Sequence, residues 1–130
     1  MIKKRILEPG RIRRIQGGFS FVPHRFLMDG FLASLNPMEI LLYLFLVLAS
    51  DRNGLSFYAY DAICTLLKIS VDDYILARDA LIDKDLIAFD GTLFQVLDLP
   101  KKPIQKENAT PQNDPKAKIA QLVEKAIGGI

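Results

Sequence analysis

Residues 70–100 constrain the fold more than any other part of the chain. The segment SVDDYILARDALIDKDLIAFDGTLFQVLDLP places apolar residues at helical spacing directly before two short alternating runs. Asp90-Gly91, a dipeptide typical of tight hairpin turns, separates the two runs. Ser70 precedes the helical part as an N-cap, and Asp73 follows at the capping-box position. The segment therefore predicts a helix from Ser70 to about Asp85, followed by a two-stranded antiparallel hairpin.

The sequence upstream predicts a second, strongly apolar helix. Asn36 is a favoured N-cap, Pro37 fits the first helical turn, and Glu39 stands at the capping-box position. The helix that begins there is apolar nearly all round until about Ser50. Turn residues at 51–54 end it. We therefore expect this helix to be the central buried element of the domain.

The order of the remaining elements predicts the architecture. Residues 55–58 are a short strand candidate, and a further helix is predicted from Tyr60 to Lys68. The residues predicted to face inward from it are Ile63, Leu66 and Leu67. Helix, short strand, helix, tight turn, helix and hairpin together predict a mainly α domain with a small β-sheet at residues 19–99. We therefore expect a winged helix-turn-helix, with a three-helix core and a two- or three-stranded antiparallel wing.

Two stretches of sequence carry a resemblance to a known class. LLKIS followed by a helix and then LIDKDLIAF resembles a bacterial pattern in which a turn ends in Ile-Ser and the helix leaves through Lys-Gly-Leu-Ile. Asp85 replaces the usual Gly, so the resemblance implies a left-handed or otherwise unusual backbone at the end of the helix, which Asp tolerates better than most residues. From FVPHRFL to FQVLDLP, the chain resembles small, mostly uncharacterised bacterial helix-turn-helix proteins near replication and mobile-element genes. It is also similar to the winged helices of plasmid replication initiators and MarR-like repressors.

The resemblance implies a DNA-binding protein that acts in transcription regulation or as a replication or mobile-element accessory factor. The distribution of charge agrees with a nucleic-acid partner. Residues 1–18 carry six basic residues and one acidic residue, whereas residues 19–100 carry five basic and eleven acidic residues. Basic arms on compact domains commonly contact nucleic acid, although they also keep apolar domains in solution. We interpret residues 1–18 as a flexible basic arm, with a short strand where RIRRI alternates at 11–15.

The candidate contacts to double-stranded DNA are cations of the arm and of the domain. An extended arm with this spacing can follow phosphates or enter a minor groove. The predicted DNA-binding residues are Lys3, Lys4, Arg5, Arg11, Arg13, Arg14, Arg25, Arg52 and Lys68.

The helix at 70–85 lacks the side chains of a major-groove reader. A reader presents donors to base edges and cations to phosphates, whereas this helix presents carboxylates and aliphatic side chains. Its inner stripe is predicted at Tyr74, Ala77, Arg78 and Leu81, with Arg78 paired to a local aspartate such as Asp61. The predicted outer face is a partner interface formed by Val71, Asp72, Ile75, Leu76 and Asp79. A protein-interaction module, docking a protein partner or a second copy as a homodimer, therefore remains the alternative function.

Other chemistry has little support. The one histidine and Cys64 lie in different predicted elements, so we expect no metal site, no cofactor and no enzymatic activity. Cys64 lies in an apolar helix and is interpreted as a buried structural thiol. No small-molecule substrate is evident. The chain shows no secretory signal, and its longest apolar run, 38–49, is too short to cross a membrane. We therefore expect a cytoplasmic protein without membrane contact.

The C-terminal residues differ from the domain in composition. Residues 100–115 are rich in Pro, Asn, Gln and Lys, which predicts a disordered linker. Residues 116–130 are predicted to form a short amphipathic helix or tail. The apolar side of that helix would be formed by Ile119, Leu122, Val123 and Ala126.

Overall fold

The computed structural model describes residues 2–104, and the predictions made for residues 105–130 lie outside this range. The helices are α1 (Arg25–Met28), α2 (Pro37–Ala49), α3 (Tyr60–Leu67) and α4 (Val71–Asp83). The strands are β1 (Leu55–Ser56), β2 (Ile87–Phe89) and β3 (Phe94–Val96), and two 3-10 turns span Pro9–Arg11 and Leu32–Ser34. From α2 onward, the element order is the one predicted from the sequence.

The three strands form one antiparallel sheet in the order β1-β3-β2. In the β2–β3 hairpin, Phe89 lies opposite Phe94. The turn is shifted by one residue from the predicted Asp90-Gly91 tip, because the backbone N–H of Asp90 donates to Leu93 O at 3.2 Å. Gly91, with a φ of 103°, and Thr92 therefore form the tip. The mainly α domain with a small sheet is a winged helix-turn-helix, and its wing is three-stranded.

The core lies between α2, α4 and the sheet. Its fully buried side chains are Phe31, Leu42, Leu46, Ile63, Leu81, Leu86, Ile87 and Phe94. Helix α2 is central as predicted, although Leu44 and Leu48 on its outer side are exposed. The prediction for α3 was wrong at Leu66, which is exposed, because Ile63 and Cys64 supply the buried face of this short helix.

Local hydrogen bonds fix where α2 begins and tie it to the end of α4. The predicted capping box is confirmed: Glu39 N donates to Asn36 Oδ1 at 2.9 Å, and Asn36 N donates to Glu39 Oε1 at 3.2 Å. The buried carboxylate of Glu39 also accepts from Lys84 Nζ at 2.8 Å. Lys84 Nζ donates further to Ser34 O at 2.7 Å. One lysine after α4 thus joins two segments that are far apart in sequence.

The C-terminal end of α4 has the backbone predicted for it. Asp85 has a φ of 62°, and Leu86 N donates back to Leu81 O at 3.1 Å. This left-handed residue turns the chain from α4 into β2. The arm, by contrast, lacks the predicted strand: residues 12–16 have no regular secondary structure, and the 3-10 turn at 9–11 precedes them. The alternation of RIRRI has no neighbouring strand edge to pair with among these residues.

Candidate nucleic-acid interface

Helix α4 and the turn before it occupy the position of a recognition helix. Ser70 caps α4, because its Oγ accepts from Asp73 N at 3.0 Å. The turn from α3 is tight, since Lys68 adopts a left-handed conformation with φ of 60°. The side chain of Lys68 is exposed in this turn, directly before the N-terminus of α4. Lys68 is therefore the one predicted DNA contact that lies within the helix-turn-helix connection.

The outer face of α4 is acidic and apolar, as predicted. Its members are all exposed: Val71, Asp72, Ile75, Leu76 and Asp79. Leu76 is the most exposed of its aliphatic residues, at 71%. A face with carboxylates and aliphatic side chains repels phosphate and offers no donors to purine edges.

The inner stripe of α4 is buried at Tyr74, Ala77 and Leu81. Arg78 lies at the edge of this stripe, with its guanidinium 5.5 Å from the ring centre of Tyr74 and 5.4 Å from that of Phe89. It pairs with Asp79 at 3.0 Å, and not with Asp61 as the sequence suggested. Burial acts to lower the pKa of Arg78, but hydrogen bonds to Asp79 and Tyr74 outweigh it and raise the pKa. Arg78 is thus a charged structural residue.

Arg25 also serves the fold. Its Nε pairs with Asp29 at 3.0 Å, and its NH2 group donates to Pro100 O at 2.7 Å and to Lys101 O at 3.0 Å. The guanidinium also lies 5.4 Å from the ring centre of Phe31. These contacts hold residues 99–101 against α1, so the donors of Arg25 are already engaged within the domain.

The basic arm is exposed along its whole length. Every residue from 2 to 19 is exposed, including the six predicted contacts Lys3, Lys4, Arg5, Arg11, Arg13 and Arg14. The arm joins the domain at residues 17–23, and all of these except Val22 line a groove of about 560 Å³ together with the end of α2, the turn at 51–54 and β3. Arg52 belongs to that turn and is exposed. The structure therefore brings Arg52 close to the base of the arm.

The wing carries no cation at its tip. The carboxylate of Asp90 accepts from Leu93 N at 2.7 Å and from Thr92 N at 2.9 Å, and these bonds lower the pKa of Asp90. Gly91 and Thr92 complete the tip. A wing that enters a minor groove usually presents a cation there. The wing of this protein instead closes the sheet.

A second groove, of about 750 Å³, separates α4 from the wing. We call it the aromatic groove; it is lined by Phe57, Tyr58, Tyr60, Val71, Ile75 and Phe89, among others. Sequence reasoning missed it, because its walls come from the β1–α3 connection, α4 and β2. The only local signal was three aromatic residues in four positions, 57–60, next to a helix start.

Two further observations concern other kinds of site. Among residues 2–104, no group of three or more His, Cys, Asp or Glu side chains is arranged to hold a metal ion. The Cys64 thiol is buried, and burial and the nearby Asp61 raise its pKa. Within the same range, no helix combines the length and the apolar character that a membrane span needs.

Comparison with known proteins agrees with the architecture. A family model described as a helix-turn-helix domain matches residues 33–87, which run from the 3-10 turn before α2 to the first residue of β2. The comparisons gave no significant match to a curated protein or to a solved structure. Residues 33–87 are therefore similar to helix-turn-helix domains, in agreement with the winged helix-turn-helix architecture described above.

Proposed function

We propose that this protein binds double-stranded DNA, with its N-terminal arm supplying most of the phosphate contacts. The observation that carries the proposal is the exposure of all six arm cations beside a helix-turn-helix domain. The proposed phosphate contacts continue on the domain, at Arg52 near the base of the arm and at Lys68 in the turn before α4. Arg25 is omitted, because its donors are bound to the carbonyls of residues 99–101 and to Asp29.

The acidic face of α4 favours binding that depends little on base sequence. Phosphate contacts position a protein on DNA without reading sequence, whereas base contacts specify. With the arm as the main contact, α4 lies beside the duplex or away from it, and affinity comes from counterion release. A protein of this kind suits a transcription regulator or an accessory factor of a replicating or mobile element.

The two ends of the chain provide a matched test. The arm and the C-terminal residues 101–130 each contain six basic residues. One variant changes the six arm cations to Gln, and the control changes the six C-terminal lysines to Gln. Binding of a random duplex at low salt should weaken strongly in the arm variant and much less in the control. Equal affinity of the arm variant and the parent chain would contradict the proposal.

A second candidate function is a protein-interaction module that uses the outer face of α4. The 71% exposure of Leu76, beside the exposed Val71 and Ile75, is the observation that favours it. Leu76→Asp should disrupt assembly with a partner or a second copy while the fold stays intact. Sedimentation and circular dichroism would measure both, with Leu27→Asp, an exposed leucine on α1, as the control. An assembly unchanged by Leu76→Asp would argue against this function.

A further inference from the structure

Two phenylalanines at the base of the arm are exposed where a smaller polar residue is not. Phe19 is 68% exposed and Phe21 is 73% exposed, whereas Ser20 between them is half-buried. Hydrophobic burial alone favours the opposite arrangement, with the aromatic side chains inward and the hydroxyl in water. This segment therefore meets the domain through its serine and leaves both rings available to a ligand.

The neighbouring core is already filled by another aromatic residue. Phe26 is 8% exposed, and its ring stacks on that of Tyr43 with 4.9 Å between ring centres and 3° between ring planes. Tyr43 also lines the groove of about 560 Å³ at the base of the arm, which we call the arm groove. Phe19 and Phe21 line the arm groove as well. The two exposed rings thus lie beside a packed core and are not part of it.

The charges around the arm groove indicate the kind of ligand that fits. Arg13 and Arg14 are exposed and lie shortly before the groove in the chain, and Arg52 belongs to its lining. Asp51 and Asp98 also belong to the lining. Cations along the arm attract phosphates, whereas these carboxylates disfavour a phosphate inside the groove. A ligand with phosphates along the arm and an uncharged planar group at the groove matches both features.

We propose that Phe19 and Phe21 stack on unpaired bases of single-stranded DNA whose phosphates follow the arm. Proteins that bind single strands without sequence preference combine cations along the backbone with aromatic rings on which the bases stack. Two residues of a chain that are separated by one other lie at most about 7 Å apart. That distance is roughly twice the 3.4 Å rise of stacked bases, so the two rings can flank one base or contact two successive ones.

Unpaired bases suit the rings better than a duplex does. The faces of bases in a duplex are covered by their neighbours, and opening a base step costs free energy. A single strand presents its bases at a much lower cost. The inference rests on the phosphate contacts of the arm, which it shares with the proposed function, and it adds base contacts and a second form of DNA.

The test compares three ligands with the full chain at low salt, by fluorescence anisotropy. The ligands are an oligothymidine strand, an abasic strand of equal length and a random duplex. The first two carry the same phosphates, so any difference between them comes from the bases. The oligothymidine should bind roughly 5- to 150-fold more tightly than the abasic strand, because stacking on an aromatic side chain contributes about that factor per base.

Exposed phenylalanines provide both the variant and its control. Phe19→Ala/Phe21→Ala should bind the oligothymidine and the abasic strand equally well and should keep the affinity of the parent chain for the duplex. Phe57→Ala removes a phenylalanine of similar exposure, 70%, outside the arm, and should keep the preference for oligothymidine. Because all three side chains are exposed, the fold should persist, and circular dichroism checks this.

Photo-cross-linking locates the contact itself. A strand with 5-iodouracil in place of thymine should cross-link within residues 19–21. Cross-links found only elsewhere, or a preference for oligothymidine that survives Phe19→Ala/Phe21→Ala, would overturn the inference. Equal affinity of the parent chain for the two strands, with intact duplex binding, would overturn it and leave the proposed function standing. A clear preference for oligothymidine in a chain that binds no duplex would support it and contradict the proposed function.

Discussion

Replacing Lys84 with Met should destabilise the domain by about 3 kcal/mol. Lys84 Nζ lies 2.8 Å from Glu39 Oε1 and 2.7 Å from Ser34 O. The Glu39 side chain is 9% exposed and the Lys84 side chain 21% exposed, so water replaces the lost contacts poorly. Removal of one member of a buried ion pair leaves an uncompensated charge, at a cost of about 3–5 kcal/mol. The partial exposure of Lys84 places the effect at the lower end of that range.

Urea denaturation of the full chain, followed by circular dichroism, measures this loss. A small domain has an m-value of about 1 kcal/mol per M, so the midpoint should fall by roughly 3 M with an unchanged slope. Lys102→Met, at an exposed lysine, should leave the free energy of unfolding within about 0.5 kcal/mol of the parent's. The double variant Glu39→Gln/Lys84→Met should recover part of the loss, because no charge is then left unpaired. A Lys84→Met chain as stable as Lys102→Met would refute the reasoning.

Three further predictions concern turns and pH. Asp85→Gly should raise the free energy of unfolding by about 0.5–1 kcal/mol in urea titration, because Asp85 has a φ of 62° and Gly adopts it without strain. Gly54→Ala should lower the urea midpoint, because its Cβ would lie 2.5 Å from Val96 O and φ is +84°. Backbone N–H donors lower the pKa of Asp51 and of Asp90, so these carboxylates stabilise the fold above their unfolded pKa of about 3.9 and lose that effect as pH falls through the lower folded values. Asp51→Asn and Asp90→Asn should each lessen the fall in stability below about pH 4 in acid titrations.

Features that depend on neighbouring residues could be predicted from the sequence. The capping box of Asn36 and Glu39 joins residues three apart, and the resemblance implied the unusual backbone at Asp85 because Asp85 stands where the pattern has Gly. The inner stripe of α4 follows from helical spacing. A few residues close together in the sequence determine each of these features, so the local sequence is sufficient to predict them.

Features that depend on distant contacts could not be predicted. Arg25 was expected to contact DNA, but its donors bind carbonyls 74 to 76 residues further along the chain. Arg78 pairs with Asp79, and its guanidinium also lies about 5.5 Å from the ring centre of Tyr74 and 5.4 Å from that of Phe89, which is on a different element. The aromatic groove needs three separate elements to meet. Neither the composition nor the spacing of residues indicates that these three elements lie side by side.

The salt dependence of duplex binding tests the central claim most directly. Each phosphate neutralised contributes a slope of about −0.9 to log K against log salt concentration, so six arm cations contribute roughly −5. The full chain should bind a random duplex with a slope at least that steep, and a chain that begins at Gly18 should lose about that much of it. If neither chain binds at low salt, the arm is not a DNA-binding element, and the acidic face of α4 would point to a protein partner.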